Sequence, residues 1–142
     1  MSAKSVQFTV AAHIIAALGF NCGERIPSST LAQGVNADPT FVLKSLAKLS
    51  KAGLIAATRG KNGASGLPRS PEQITLLDIY RASEAPPTFG IHGCPVEKRC
   101  PISTNIKGCM SAVLTKAQKR FENTLDGMTL ADIVGGIRRA GR

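Results

Sequence analysis

The stretch 28–67 constrains this chain more than any other part of it. Ser28 can cap a short helix carrying Leu31 and Ala32, with Gly34 closing it. Asp38-Pro39 then opens a longer helix, with aspartate as cap and proline at the first helical position, where its missing N–H costs nothing. Phe41, Val42, Leu46 and Leu49 form the apolar stripe of that helix, Thr40, Lys44, Lys48 and Lys51 lie toward the other face, and Gly53 terminates it. Residues 54–58 read as a strand, 59–66 as a glycine-rich turn, and Leu67 starts a return strand. The pattern is a helix-turn-helix followed by a β-wing, with Arg59 and Lys61 near the wing tip. An arginine there suits a narrow, strongly negative minor groove. The plainer alternative is an αα-hairpin and an ordinary hairpin with solvated lysines. A phosphate-binding loop at 60–66 is a poor reading, since the P-loop lysine and hydroxyl are missing.

Around this core the periodicity predicts further helices. Over 6–18, Val10, Ile14, Ala17 and Leu18 share one side, with Ala11 and Ile15 adjacent, and Gly19 followed by Asn21-Cys22-Gly23 ends the segment. Thr75 and Asp78 resemble a capping box, and their helix runs through Ile79, Tyr80 and Ala82 before Pro86-Pro87. A Pro-, Gly- and Cys-rich loop covers 85–102. A long helix then runs from Ser103 to about Asp126, with Ile106, Cys109, Val113, Ala117, Phe121 and Leu125 in one stripe. That stripe exceeds what so small a domain needs for itself, so it is expected to form a dimer interface. Thr129 and Asp132 open a last helix, which Gly135-Gly136 is expected to end before a frayed basic tail. The expected fold is mainly α with a small β-wing. A winged helix-turn-helix occupies 1–70; a sensor loop and dimerisation helices occupy 71–142, in one compact chain.

Charge supports a polyanionic partner. Residues 1–69 hold eight Lys/Arg against Glu24 and Asp38, a net +6 out of +9 for all 142 residues. Ser28, Thr40, Lys44, Lys48, Arg59 and Lys61 are the residues expected at double-stranded DNA. The apolar stretch 8–20 is too short and broken to span a bilayer, and no basic leader with a cleavage site is present. A cytoplasmic location without membrane partners is therefore expected, with thiols kept reduced.

Three of the four cysteines, Cys94, Cys100 and Cys109, fall within sixteen positions, and Lys98-Arg99 leads into Cys100. Two positive neighbours and a helix start just beyond favour a reactive thiolate at Cys100, with Cys94 as resolving thiol. Cys109 lies on the apolar stripe and reads as a core or interface residue, and Cys22 as a bystander. A zinc-binding adaptor or enzyme using Cys94, Cys100, Cys109 and His92 is disfavoured, because structural zinc takes ligands two to four residues apart. No Ser/His/Asp set or close carboxylate pair supports catalysis, so the chain is not expected to be an enzyme.

Several segments together resemble the Rrf2 (Rrf-two) family of bacterial winged-helix transcription regulators. They are Phe8-Thr-Val-Ala-Ala-His13, Lys51-Ala-Gly-Leu-Ile55, Arg59-Gly60, Ile74-Thr-Leu-Leu-Asp-Ile-Tyr80, Cys100-Pro-Ile-Ser-Thr-Asn-Ile106 and Met128-Thr-Leu-Ala-Asp132. The resemblance implies a homodimer joined through the long helix, usually a repressor, on a palindromic operator. It also implies DNA contacts at Thr40 and Arg59, and a changed base preference at Leu43, where the cluster-biogenesis regulator has an acid. Two branches of the family match in part. In cluster-binding members, positions matching Cys94, Cys100 and Cys109 would hold an iron–sulfur cluster, with His13 or His92 as a possible fourth ligand. Cys109 falls three residues late for that pattern, and the acid some members use is Val10 here. In thiol-sensing members a cysteine matching Cys100 is retained, and the register from it to Thr129-Leu130 has no gaps. The preferred expectation is a redox or electrophile sensor that requires no cofactor, with the iron–sulfur regulator as alternative.

Overall fold

The computed structural model describes residues 5–21, 24–58 and 63–141. By contacts the chain divides into one compact unit of residues 1–85 with 125–142 and a second of residues 86–124.

In the first unit, α1 (Gln7–Phe20) is the central element, packed by α3 (Pro39–Lys51), by α4 (Leu76–Ala82) and by α6 (Leu130–Ala140). Neighbours on several sides explain why Ala11, Ile14, Ile15, Ala16, Leu18 and Gly19 are all buried, a broader face than the expected stripe. The helix ends one residue after Gly19, with Asn21 as its C-cap. A Cβ at Gly19 would stand 3.0 Å from Val134 Cγ2, so the missing side chain makes room for α6. At one end of α1 the Phe8 ring meets Tyr80 edge-on, centroids 5.3 Å apart. At the other, Arg138 lies 4.4 Å over the Phe20 ring and donates from Nη2 to the Phe20 carbonyl at 2.6 Å. This anchor corrects the expectation of a short last helix with a frayed tail. With Leu130 and Val134 buried below it, α6 continues through Gly135-Gly136 to Ala140.

The helix-turn-helix comprises α2 (Ser28–Val35) and α3. Ser28 is the first helical residue rather than the cap, which is Pro27. Gly34 lies inside α2, and Asn36 takes the left-handed position instead (φ 57°), a conformation asparagine tolerates better than most residues. Asp38 caps α3 as expected, its carboxylate accepting from the Thr40 N–H at 2.8 Å. At the far end Gly53 adopts φ +76°. Its N–H reaches the Ser50 carbonyl and that of Leu54 the Leu49 carbonyl, both at 3.0 Å, a Schellman closure over two buried leucines.

The wing has β2 (Ala56–Ala57) antiparallel to β3 (Ala64–Gly66), shorter than expected and with the return strand beginning earlier. A third strand that periodicity did not show, β1 (Ile26–Pro27), pairs with the other edge of β3, giving the order β1-β3-β2. Two residues without alternation carry no strand signal of their own. Thr58 and Ala64 close the hairpin: the Thr58 N–H donates to the Ala64 carbonyl at 2.9 Å, and the Ala64 N–H to Thr58 Oγ1 at 3.0 Å.

The second unit consists of the loop from Pro86 and most of α5 (Pro101–Asp126), whose final residues from Leu125 belong to the first unit. Helix α5 starts two residues earlier than its periodicity suggests. Pro87, Thr88, Phe89 and Ile91 border an apolar cleft along it with Leu114 and Phe121. Gln118 Oε1 holds that strap by accepting from the Thr88 N–H at 3.1 Å and the Thr88 hydroxyl at 3.0 Å.

Candidate DNA interface and cysteine segment

Helix α3 has two faces. Val42, Ser45, Leu46 and Leu49 are buried, while Thr40, Leu43, Lys44 and Ala47 are exposed opposite them. Thr40 sits in the first turn, directly after the Asp38-Pro39 cap, so the cap chemistry fixes where the exposed face begins. Lys44 is exposed one turn further on. Lys48 is half-buried and its ammonium lies 3.7 Å from the Glu84 carboxylate. Part of its charge is therefore engaged at the edge of α3, which sets it apart from Lys44. Glu84 itself has φ 56° just past the end of α4. The Ser28 N–H donates to the Gly63 carbonyl at 3.3 Å, linking the start of α2 to the base of the wing. Arg59 and Lys61, expected in the wing, and Cys22 lie outside the described residues.

The cysteine segment is organised around the start of α5. Cys100 is its capping residue: the carbonyl accepts from the Thr104 N–H at 3.0 Å, and Sγ accepts from the Ser103 N–H at 3.4 Å. The turn before it is held from both sides. Ser103 Oγ accepts from the Glu97 N–H at 2.8 Å, the Glu97 carbonyl from the Cys100 N–H at 3.0 Å, and the Glu97 carboxylate from the Arg99 N–H at 3.1 Å. Cys94 is exposed, with its carbonyl accepting from Lys107 Nζ at 2.6 Å and its N–H donating to His92 Nδ1 at 3.3 Å. Glu97, Ser103 and Lys107 are thus partners that the cysteine pattern did not reveal. A signal existed for one of them. Cys100-Pro101 has the cap-then-proline form of Asp38-Pro39, which places Ser103 at the position whose N–H a cap receives.

The same geometry tests the cluster ligand set. Cys100 and Cys109 are separated by nine positions at the start of one continuous helix. At about 1.5 Å and about 100° per residue they stand about 13 Å apart along the axis, on opposite sides. One chain cannot bring both to a common centre while α5 is folded. Among the described residues, no group of three or more His, Cys, Asp or Glu side chains converges as metal ligands. Of the two suggested fourth ligands, His13 is exposed on α1 and His92 Nδ1 accepts from the Cys94 N–H. The three-cysteine set within a single subunit does not fit a cluster. Among the described residues no helix is long and apolar enough to cross a membrane.

Comparison with known proteins agrees with this architecture. The family model Rrf2, described as an iron-dependent transcriptional regulator, matches residues 4–136. YwnA of Bacillus subtilis, named as an HTH-type transcriptional regulator, is 30% identical over 132 residues, covering 92% of this chain and 96% of that protein. A crystal structure from Lactobacillus plantarum, described as a transcriptional regulator, superposes with a TM-score of 0.80 at 28% identity, over 96% of this chain and 92% of the other. IscR of T. potens shares the fold, with a TM-score of 0.71 at 23% identity over 99% and 92% of the two chains. The chain belongs to the Rrf2 family: it is a winged-helix, DNA-binding transcriptional regulator, and its relatives are regulators rather than enzymes.

Proposed function

We propose that the protein acts as a homodimer on a palindromic operator, as a repressor, and that oxidants or electrophiles release it from DNA by reacting at Cys100. The observation that carries this reading is the hydrogen bond from the Ser103 N–H to Cys100 Sγ, which makes the sulfur itself part of the start of α5. Lys98 and Arg99 immediately precede Cys100 and line one concavity with it, Val96 and Glu97. With a peroxide as oxidant, the Cys100 sulfur takes one oxygen to give a sulfenic acid and releases water. The Cys94 thiol then attacks that sulfur, the S–S bond forms and a second water leaves. The disulfide alters the cap of α5 and the turn at Glu97. Segment 86–100 joins the first unit to the start of α5, whose last residues return to that unit, so a change there can shift the spacing of two recognition helices. Half-sites about 34 Å apart tolerate little mismatch.

Ser28, Thr40, Lys44, Arg59 and Lys61 are proposed as DNA contacts, with Lys48 at the margin because its ammonium already faces the Glu84 carboxylate. Dimerisation through α5 is supported by Ile106, Met110 and Val113, exposed by 38%, 40% and 56%, on a helix with only Leu125 buried. Iron–sulfur sensing is a second reading, favoured by the family's description. It would use Cys94 and Cys100 with further ligands from outside the single chain. The test is DNA binding by parent and Cys100→Ser proteins with and without peroxide. Oxidant should release the parent and leave the variant bound; equal release of both would place the sensor elsewhere.

A further inference from the structure

From Pro39 to Lys51 helix α3 contains no Arg, Asn, Gln, Asp or Glu, so of the side chains that bond base edges in the major groove it keeps only Lys, Ser and Thr. Ser45 is buried, and Thr40, Lys44, Ser50 and Lys51 are exposed. Beside these polar groups the exposed face offers apolar ones. Leu43 is 54% exposed, while Val42 and Leu49 on the opposite face are at 1% and 0%. A lone exposed leucine needs no explanation. This one is flanked by Thr40 one turn before and Ala47 one turn after, both exposed, and it borders a concavity with Gln33, Asn36 and Pro39 at the helix-turn-helix angle.

The lysines follow the other edge of the same face. At about 100° per residue, Leu43 and Ala47 fall on one side of Thr40, and Lys44, Lys48 and Lys51 on the other. One edge therefore presents methyl groups and the other ammonium groups. Ammonium groups fit phosphates, which carry no sequence information directly. In the major groove of unmodified DNA the apolar group available to methyls is the C5-methyl of thymine.

We propose that Leu43, supported by Ala47 and the Thr40 methyl, reads thymine C5-methyl groups, so that the recognition helix specifies its half-site by apolar contact. The proposal rests on α3 being the DNA-reading helix. Its selectivity is for the methyl itself, a feature that exchange of thymine for uracil removes while leaving base pairing and groove polar groups intact.

The experiment uses the full-length protein and a duplex that it selects from a randomised library. Each thymine is replaced in turn by deoxyuridine, and Kd is measured at fixed salt. One or two positions per half-site should weaken binding by about fourfold each, the worth of one buried methyl group. Leu43→Ala should bind the thymine and uracil duplexes equally, with affinity for the uracil duplex close to the parent's. Uniform tolerance of uracil overturns the proposal, as does a Leu43→Ala protein that keeps the discrimination. Methylating the cytosines of the same duplex should leave Kd unchanged; dependence on methylcytosine with uracil tolerated would overturn the thymine assignment. Failure to enrich any duplex would refute DNA reading by α3 itself, a result distinct from duplex binding that ignores the methyl.

Discussion

Thr75 and Thr129, the caps of α4 and α6, face each other in an antiparallel bridge. Each hydroxyl accepts from the N–H of an aspartate three residues on, Asp78 at 3.0 Å and Asp132 at 3.3 Å, and each aspartate accepts in return from its threonine's N–H. Between them, the Leu76 N–H donates to the Met128 carbonyl at 2.9 Å and that of Leu130 to the Ile74 carbonyl at 2.8 Å. Two helix starts far apart in sequence are thereby fastened together beside the fully buried Ile74. Thr129→Ala should lower stability by about 1 kcal/mol through loss of its cap, read as the midpoint shift in urea unfolding. Specific DNA affinity should be unchanged at temperatures where the variant is folded.

Gly19→Ala should destabilise despite alanine's higher helix propensity. A Cβ 3.0 Å from Val134 Cγ2 overpacks the α1–α6 contact, at a cost of about 1–3 kcal/mol. A double-mutant cycle with Val134→Ala checks the cause: the double variant should lose less than the two single losses combined.

These residues mark what could be read from the chain and what could not. Both capping boxes, the Asp38-Pro39 start and the Gly53 stop were legible because each is a local arrangement of side chain and backbone. Gly135-Gly136 was misread as a helix end for the same reason, while Gly19 and Gly34 each lie one residue inside the end of their helix. Local propensity weighs a glycine alone, whereas at Gly19 the deciding atom belongs to Val134, more than a hundred residues away. The β1 strand exists only through pairing with β3, so nothing in Ile26-Pro27 announces it. At the cysteine segment the thiols were evident and Cys100-Pro101 pointed to Ser103, but Glu97 and Lys107 became visible only once the turn was folded.

Lys44→Ala should weaken duplex binding across sequences and reduce the slope of log affinity against log salt by about one unit, the signature of one phosphate contact. Lys48→Ala should reduce it less, because Lys48 already faces Glu84 at 3.7 Å. Arg59→Ala should cost about 1–3 kcal/mol on a specific duplex if it reads bases or a narrow groove. Titrations at four salt concentrations resolve all three.

Val113 is a cleaner probe of assembly than Phe121, which is half-buried beside the 87–91 strap. Val113→Asp should give a folded monomer with unchanged helical circular dichroism and lost affinity for a palindrome, since an unpaired charge is costly in an apolar contact. Sedimentation checks this. A parent protein that is already monomeric at micromolar concentration would remove α5 as an interface.

In the proposed switch the thiol pair controls DNA binding without a metal. Protein purified anaerobically, shown by analysis to contain no iron or sulfide, should be held on its selected duplex and titrated with peroxide while release and cysteine modification are followed together. Release should rise in step with formation of the Cys94–Cys100 disulfide. A metal-free protein that stays bound throughout, and responds only after an iron–sulfur cluster has been reconstituted, would rule out the thiol switch.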